Sequence, residues 1–274
     1  MKEVRVGKLI LGAARPLVLV AGPCVIEDES TTVAIARELV EITGRLQMPF
    51  IFKASYDKAN RTSAGSYRGP GLENGLDLLD FIRNRFQIPV LSDVHQLTEI
   101  EPASKVLDIL QIPAFLCRQT DLLTAAARTG LTVNIKKGQF LSPGDMRYAV
   151  EKVSAAGNEN ILLTERGTTF GYNNLVVDFR AIPLMGLLGY PVIFDATHSV
   201  QLPGGGGMVS GGNREFVPVL AKAAVAAGAN GLFLEVHFHP DRALCDGPNS
   251  WPLGQLEPLL RSLLAVHQAV SEAC

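Results

Sequence analysis

The chain alternates short apolar segments with longer amphipathic stretches along its whole length. Runs of β-branched and aliphatic residues without polar alternation are typical of strands that are buried on both faces of a parallel sheet. The pattern predicts eight such strands, at 16–21, 50–53, 88–93, 106–111, 131–136, 160–164, 191–195 and 231–235.

Helix-length sequence follows the predicted strands. After the first strand, Ser30 or Thr31 is suited to cap a helix and Gly44 to end it. Further helices are predicted over 71–85 and from about residue 258. The first helix is predicted from four residues that share one helical face: Ala36, Leu39, Val40 and Thr43.

Eight strands, each followed by helical sequence, are the number that closes a parallel barrel. We therefore expect a (β/α)8 TIM barrel formed by one domain over residues 1–274, with a short N-terminal hairpin at 4–11 that plugs the bottom of the barrel. An open doubly wound sheet is the alternative fold, but no GxGxxG turn is present.

Composition narrows the class of protein. Hydrophobic residues make up 47% and charged residues 19%, which suits a globular chain with a large core. The net charge of −2 argues against nucleic acid or a membrane surface as a partner. The four cysteines form no CxxC pair, and no membrane span or signal peptide is predicted, so we expect a cytoplasmic protein.

Reactive side chains concentrate at the ends of the predicted strands, where barrel enzymes place their active sites. An average set of strand ends would carry mostly Gly, Ser, Asn and Asp. This concentration predicts a polar pocket that binds anions. The residues at or just past the strand ends are Cys24, Lys53, Asp93, His95, Gln111, Lys136, Arg166, Asp195, His198 and Glu235.

The loop after the second strand, residues 53–69, is basic. It holds two lysines and two arginines against a single acidic residue, Asp57. Such loops are often solvated surface, but Ser, Thr and Asn between these cations are donors to phosphate oxygens. Together with cations at other strand ends, the loop favours a site for more than one anionic group; those cations are Lys136, Lys137 and Arg166.

A metal site is a further hypothesis. Cys24, His198, Glu235 and Asp246 come from four separate segments and offer one sulfur, one nitrogen and two carboxylates. This donor set suits a divalent transition metal such as Zn, Fe or Mn. No spacing pattern links the four, and an isolated buried cysteine is commonly just a small apolar residue, so their chemistry alone leaves the site open.

Glu235, His237 and His239 form an alternative triad, since alternate residues face one side of a strand. The predicted strand ends near Glu235, however, and Pro240 follows the triad directly. The two histidines are therefore also compatible with a loop beside the site.

Nine segments carry distinctive motifs: GPCVIE (22–27), FKASYDKANRTS (52–63), YRGPGLE (67–73), SDVH (92–95), QIPAFLCRQTDLL (111–123), NIKKGQF (134–140), ERGTTFGYNNLVVD (165–178), FDATHSVQ (194–201) and CDGPNSWPL (245–253). Together they resemble the 3-deoxy-D-manno-octulosonate 8-phosphate synthases over essentially the whole chain. The resemblance implies a (β/α)8 barrel, commonly a homotetramer, that condenses phosphoenolpyruvate with D-arabinose 5-phosphate for lipopolysaccharide synthesis.

The resemblance also implies roles for individual residues. Cys24 in the first loop is typical of the metal-dependent members, and Thr62 stands where the family usually has Ser. Catalytic roles are implied for Cys24, Lys53, Lys58, His198 and Asp246. Phosphoenolpyruvate would bind at Lys53, Lys58, Arg118, Lys136 and Arg166, and arabinose 5-phosphate at Asn60, Arg61, Thr62 and Ser63. A divalent metal (Fe, Zn, Mn, Co or similar) would be held by Cys24, His198, Glu235 and Asp246.

Three alternative functions stay open at this point. The sister activity, 3-deoxy-arabino-heptulosonate 7-phosphate synthesis from erythrose 4-phosphate, has a KPRTS-like motif where this chain has KANR (58–61). A Schiff-base lyase would use Lys53 or Lys136 covalently. A non-catalytic protein would only bind sugar phosphates. The glycine-rich stretch 203–212 is expected to act as a lid.

Overall fold

The structure is a computed structural model that describes residues 1–61, 63–205 and 211–272. Thr62 lies outside the described residues, and so do residues 206–210 of the expected lid at 203–212.

Eight parallel strands form a closed barrel. Each pairs with the next barrel strand along the chain, and the last pairs with both the seventh and the first. The predicted (β/α)8 barrel is therefore confirmed, and the doubly wound alternative is wrong. The barrel strands are β3 (Val18–Gly22), β4 (Phe50–Lys53), β5 (Val90–Asp93), β6 (Ile109–Ile112), β7 (Thr132–Lys136), β8 (Ile161–Glu165), β11 (Val192–Asp195) and β14 (Gly231–His237).

Helices surround the barrel and pack their apolar faces on the outside of its strands. Their buried residues, together with the outward-facing strand residues, form the larger of the apolar clusters. The helices are α1 (Glu29–Leu46), α2 (Leu72–Phe86), α3 (Leu97–Ser104), α4 (Thr120–Arg128), α5 (Met146–Ala155), α6 (Ala181–Gly186), α7 (Val217–Ala226) and α8 (Leu256–Ser271).

The caps of α1 differ from the prediction. The residue that caps its N-terminus is Asp28, which accepts a hydrogen bond from the backbone N–H of Thr31 at 2.8 Å, while Ser30 donates its hydroxyl to the same carboxylate. The expectation of a Ser30 or Thr31 cap is thus wrong because the stronger acceptor stands just before them. The helix also continues through Gly44 to Leu46, and the residue that caps its C-terminus is Gln47, which is left-handed (φ 50°).

Two short strands, β1 (Val4–Val6) and β2 (Leu9–Leu11), form the expected antiparallel hairpin. Three of its side chains are buried against the interior of the barrel, which is apolar at this end. The hairpin therefore closes the amino end of the barrel and leaves the carboxyl end for the site. The interior cluster contains Val4, Val6, Leu11, Val18, Val20, Ile51, Leu91, Ile109, Leu162, Ile193 and Phe233.

Additional short strands lie in the loops beyond the carboxyl ends. They are β9 (Thr168–Thr169) with β10 (Leu175–Val176), β12 (Gln201–Leu202) with β13 (Gly211–Gly212), and β15 (Trp251–Pro252), which extends beside β14. Among the described residues, no helix combines the length and the apolar character that crossing a membrane requires.

Candidate active site

A cavity of about 190 Å³ opens at the carboxyl ends of the barrel strands. Charged and amide side chains supply most of its wall, and they come from strand ends and from the loops that follow. Most of the predicted site residues therefore converge on one place. Those that line the cavity are Lys53, Lys58, Asn60, Arg61, Asp93, His95, Gln111, Lys136, Arg166, His198, Glu235 and Asp246.

Glu235 and two lysines occupy one side of the cavity. The Lys53 ammonium donates to Glu235 Oε1 at 2.9 Å and to the carbonyl of Cys24 at 2.8 Å, and Lys58 Nζ lies 3.6 Å from the same carboxylate. Burial alone would raise the pKa of Glu235, but the charges of Lys53, His198 and Lys58 hold it well below its usual range. Burial alone would lower the pKa of Lys58, but the charges of Glu235 and Asp93 raise it.

Lys136 and Arg166 supply positive charge from neighbouring strands. Lys136 Nζ donates to Asp195 Oδ2 at 2.6 Å and lies 3.8 Å from the centre of the Phe233 ring. Arg166 donates to Gln201 Oε1 at 2.9 Å. Burial lowers the pKa of both cations, against the opposing charge of Asp195. These desolvated donors are suited to bind a phosphate that enters the cavity.

Asp195 orients His198. The carboxylate accepts the backbone N–H of His198 at 2.9 Å, and its Oδ2 lies 2.7 Å from the Nδ1 of the ring. Burial alone would raise the pKa of Asp195, but His198 and Lys136 hold it below its usual range. With Nδ1 beside Asp195, Nε2 faces Glu235 at 3.6 Å and Asp246 at 3.7 Å, the arrangement that suits a histidine ligand of a metal.

Two groups of candidate metal ligands share Asp246. One contains Cys24 and Cys245, the other His198 and Glu235, and within each group the ligand atoms lie within 4.8 Å of one another. Cys24 Sγ lies 3.5 Å from Asp246 Oδ2. The structure thus brings the four predicted ligands to one region of the rim and adds a second thiol, that of Cys245.

The chemistry of these groups fits a divalent transition metal. Glu235 Oε2 is buried and has no hydrogen-bond partner among the described residues, so it is available as a ligand. Burial raises the pKa of the Cys24 thiol well above its usual value, and the neighbouring Cys245 and Glu235 add to this. A bound cation would reverse that shift, because thiolates bind metals and thiols do not.

The alternative triad does not assemble. The strand β14 extends two residues beyond the predicted end, yet His237 Nε2 lies 3.7 Å from Glu27 rather than in either ligand group. His237 Nδ1 accepts the backbone N–H of His239, whose side chain is exposed. Glu235 is therefore the one member of this triad that faces the candidate metal ligands.

The basic loop contributes Arg61 to the cavity. One of its terminal nitrogens lies 2.6 Å from Cys245 Sγ and the other donates to the carbonyl of Leu244, while Nε is buried with no partner among the described residues. Asn60 is exposed at the cavity rim. Ser63 is half-buried and does not line the cavity.

Two predicted cations lie elsewhere. The side chain of Arg118 is exposed and outside the cavity wall, and its carbonyl accepts a hydrogen bond from Lys152. Lys137 is fully buried and donates to Thr168 Oγ1 at 2.9 Å and to neighbouring carbonyls, so its expected role in anion binding is wrong. It points away from the cavity because successive residues of a strand face opposite sides, and Lys136 faces inward.

Two residues that the sequence analysis missed belong to the site. Gln201 accepts from Arg166, and Cys245 approaches Cys24 and Arg61. Neither is at a strand end. Adjacency to Asp246 was the one sequence feature that could have singled out Cys245.

Comparison with known proteins places this site in a family. The model of the DAHP synthetase I family matches residues 2–272. The chain belongs to this family, whose name describes enzymes that synthesise a deoxy sugar phosphate. The resemblance to the octulosonate 8-phosphate synthases is confirmed by curated relatives, because their name is more specific than the description of the family.

Two of these relatives carry the name 2-dehydro-3-deoxyphosphooctonate aldolase. The protein from Desulfosudis oleivorans is 66% identical over 263 residues, which are 96% of this chain and 94% of that protein. The protein from Geobacter metallireducens is 60% identical over 269 residues, 98% of this chain and 99% of that protein. The similarity therefore extends over nearly the full length of each protein.

Proposed function

We propose that this chain condenses phosphoenolpyruvate with D-arabinose 5-phosphate and water, giving 3-deoxy-D-manno-octulosonate 8-phosphate and inorganic phosphate. The observation that carries the proposal is one cavity with two cationic groups, Arg61 after β4 and Arg166 after β8. These strands are four apart in a ring of eight, so the two guanidinium groups come from opposite sides of the barrel. The product is a precursor of the inner sugar of lipopolysaccharide.

Phosphoenolpyruvate spans the cavity, with its phosphate on the side formed by β7 and β8 and its carboxylate toward the lysines of β4 and the basic loop. Lys136 and Arg166 bind its phosphate, and Lys58 binds its carboxylate beside Lys53. Arg118 is implied by the resemblance alone, because its side chain lies outside the cavity wall. Cations that are already oriented toward the phosphate stabilise the negative charge on it as it leaves.

Arabinose 5-phosphate takes the side formed by the basic loop. Arg61 pairs with its phosphate through a charge-assisted hydrogen bond, and Asn60 at the rim binds its hydroxyls. Thr62 and Ser63 are assigned to the same phosphate by the resemblance, and Thr62 keeps the hydroxyl of the usual Ser.

The reaction needs close approach and charge stabilisation. Carbon 3 of phosphoenolpyruvate attacks the aldehyde carbon, water adds its oxygen to carbon 2, and the resulting hemiketal phosphate loses inorganic phosphate by cleavage of the carbon–oxygen bond. Holding both substrates in one cavity supplies the orientation that a weak carbon nucleophile requires. A divalent metal held by Cys24, His198, Glu235 and Asp246 would supply a Lewis acid in this cavity.

We also propose that the chain is one domain that assembles as a cytoplasmic homotetramer. Large exposed apolar side chains support an interface, among them Tyr172 (98% exposed), Leu187 (83%) and Phe170 (70%). The described cysteines are all unpaired thiols, which suits a reducing compartment. Light scattering should give a mass four times the 29.4 kDa of the chain, and a monomer would contradict the proposal.

The function is tested by phosphate release with each aldose phosphate. We expect release from phosphoenolpyruvate with arabinose 5-phosphate and little release with erythrose 4-phosphate. The reverse preference would identify the heptulosonate activity instead. Binding of both substrates without release would identify a non-catalytic protein, and covalent trapping of substrate by borohydride would identify a Schiff-base lyase.

A further inference from the structure

A chain of side-chain hydrogen bonds crosses the barrel interior below the cavity. Thr164 Oγ1 donates to Asn134 Oδ1 at 2.7 Å, Asn134 Nδ2 donates to Gln111 Oε1 at 2.9 Å, and Gln111 Nε2 donates to Asp93 Oδ1 at 2.6 Å. Ser55 donates to the second oxygen of Asp93 at 2.7 Å. All five residues are buried. We call Ser55, Asp93, Gln111, Asn134 and Thr164 the polar ladder.

Strand register brings the ladder together. Asp93 on β5 pairs with Gln111 on β6, and Gln111 pairs with Asn134 on β7. The residues two positions earlier on β5 and β6, Leu91 and Ile109, belong to the apolar interior below. The ladder is therefore the first polar layer above the apolar end of the barrel.

The ladder has two kinds of members. Asp93 and Gln111 line the cavity, so bound substrates can contact them although both are buried in the free protein. Asn134 and Thr164 are completely buried and are not part of the cavity wall. Any influence of these two on the reaction must pass through Gln111 and Asp93.

An ionised Asp93 sets the direction of every bond. A carboxylate only accepts, so Gln111 must present its amide N–H₂ to Asp93 and its carbonyl to Asn134. Asn134 must then donate to Gln111, and its carbonyl is left to accept the hydroxyl of Thr164. Each bond polarises the next, and a fully satisfied buried chain holds its members in one arrangement.

The charge of Asp93 needs such restraint. Lys53, Lys58 and Lys136 and the His95 ring surround it with positive charge. Without its two donors the carboxylate would be free to turn toward one of these cations, and Gln111 could rotate its amide. The phosphoenolpyruvate ligands Lys58 and Lys136 would then be drawn away from substrate.

We propose that Asn134 and Thr164 are positioning residues that fix the Asp93 carboxylate and the Gln111 amide in the reacting cavity. This role rests on the proposed condensation. It predicts that the hydroxyl of Thr164, three hydrogen bonds away from the carboxylate, contributes to turnover although it touches no substrate.

The test compares two substitutions of Thr164 with a matched control. T164V keeps the volume and removes the hydroxyl, whereas T164S keeps the hydroxyl. T132V makes the same change at the first residue of the neighbouring strand β7, where Thr132 is also buried and donates to the backbone of Arg5. We expect kcat to fall about two- to tenfold in T164V, the range for losing one neutral hydrogen bond. T164S and T132V should keep the kcat of the wild type.

A double-mutant cycle adds a second measurement. N134L breaks the ladder one bond nearer to Asp93, so adding T164V to N134L should lower kcat no further. Thermal unfolding of each variant separates lost stability from lost turnover. Equal kcat in T164V and wild type, equal losses in T164V and T132V, or additive losses in the cycle would each overturn the proposal.

Folding failure is also decisive. T164A replaces T164V if the valine variant does not fold. If both fail to fold while T164S folds, the hydroxyl is structural and the proposal is overturned. The wild type is measured in the same assay, so absence of condensation there would refute the proposed function, separately from any difference among the ladder variants.

Discussion

Each buried carboxylate of the site is held by several cations or donors. Glu235 pairs with Lys53, and Asp195 pairs with Lys136 and His198. Removing one partner of a buried pair leaves an unpaired charge and typically costs about 3–5 kcal/mol. Substitution of these lysines therefore affects stability as well as activity, whereas Arg61 offers a cleaner test because its nearest contacts are a thiol and a carbonyl.

Arg61→Ala should raise the KM for arabinose 5-phosphate tenfold or more, since a hydrogen bond to a charged group contributes about 1.5–3 kcal/mol. The KM for phosphoenolpyruvate should change less, because the proposed site of its phosphate lies on the opposite side of the barrel. Steady-state kinetics with each substrate varied in turn measures both constants. Arg68→Ala is the control, since Arg68 belongs to the same loop but is exposed and paired with Asp57. An unchanged KM for the aldose in the Arg61 variant would refute the assignment.

The metal hypothesis is tested at Cys24. Chelation should abolish activity, and added manganese, iron, cobalt or zinc should restore it to different degrees. Cys24→Ala should bind metal weakly, because it loses the soft charged ligand, and elemental analysis measures this independently of activity. Full activity of wild-type protein from which all metal has been removed would contradict the hypothesis.

Cys24→Asn gives a sharper comparison, because the resemblance stated above implies Asn at this position in metal-free members of the family. An amide side chain can bind substrate by hydrogen bonds. We therefore expect this variant to keep some activity in the presence of chelator, unlike Cys24→Ala. Equal inactivity of both variants in chelator would contradict this expectation, because Asn would then not replace Cys24 in the absence of metal.

The site residues at the strand ends were predictable from the sequence, but their hydrogen-bond partners were not. Asp93, Gln111 and Lys136 follow from the strand pattern and the barrel rule. That Asp93 and Gln111 share a hydrogen bond depends on the register between strands, which one sequence does not specify. The sequence also does not specify which residues of a strand face the cavity. A shift of one residue along a strand moves a side chain to the opposite face, which is why Lys137 was assigned to anion binding together with Lys136.

At the scale of secondary structure, the N-terminal hairpin stabilises the barrel from below. Leu11 is fully buried in the interior cluster, whereas its neighbour Ile10 is half-buried. Leu11→Ala should lower the free energy of unfolding by about 2–5 kcal/mol, and Ile10→Ala by clearly less. Urea unfolding measures both losses. Equal losses would show that the hairpin does not plug the barrel as described.

Element types were predicted well because apolar runs and helical stretches alternate regularly. Boundaries were predicted less well. The predicted strand at 106–111 begins at Ile109 in the structure, since the residues before it complete the turn after α3. Asp28 was overlooked as the cap of α1 because two hydroxyl residues follow it closely.

At the scale of the whole molecule, barrel closure creates the site. Cys24 follows β3 and Glu235 lies on β14, at opposite ends of the sequence, and the pairing of these two strands makes them neighbours. Closure also sets Arg61 and Arg166 across the cavity from each other. The two cationic groups are the feature that a condensation of two phosphorylated substrates requires.

Phosphorus NMR of the complete reaction tests this account most directly. With phosphoenolpyruvate and arabinose 5-phosphate supplied together, we predict that both signals disappear in equal amounts. Inorganic phosphate and one new sugar phosphate should appear in the same amounts, and the product should have the mass of an eight-carbon keto acid phosphate. Release of phosphate without consumption of the aldose phosphate, or no reaction in metal-loaded protein, would contradict the account.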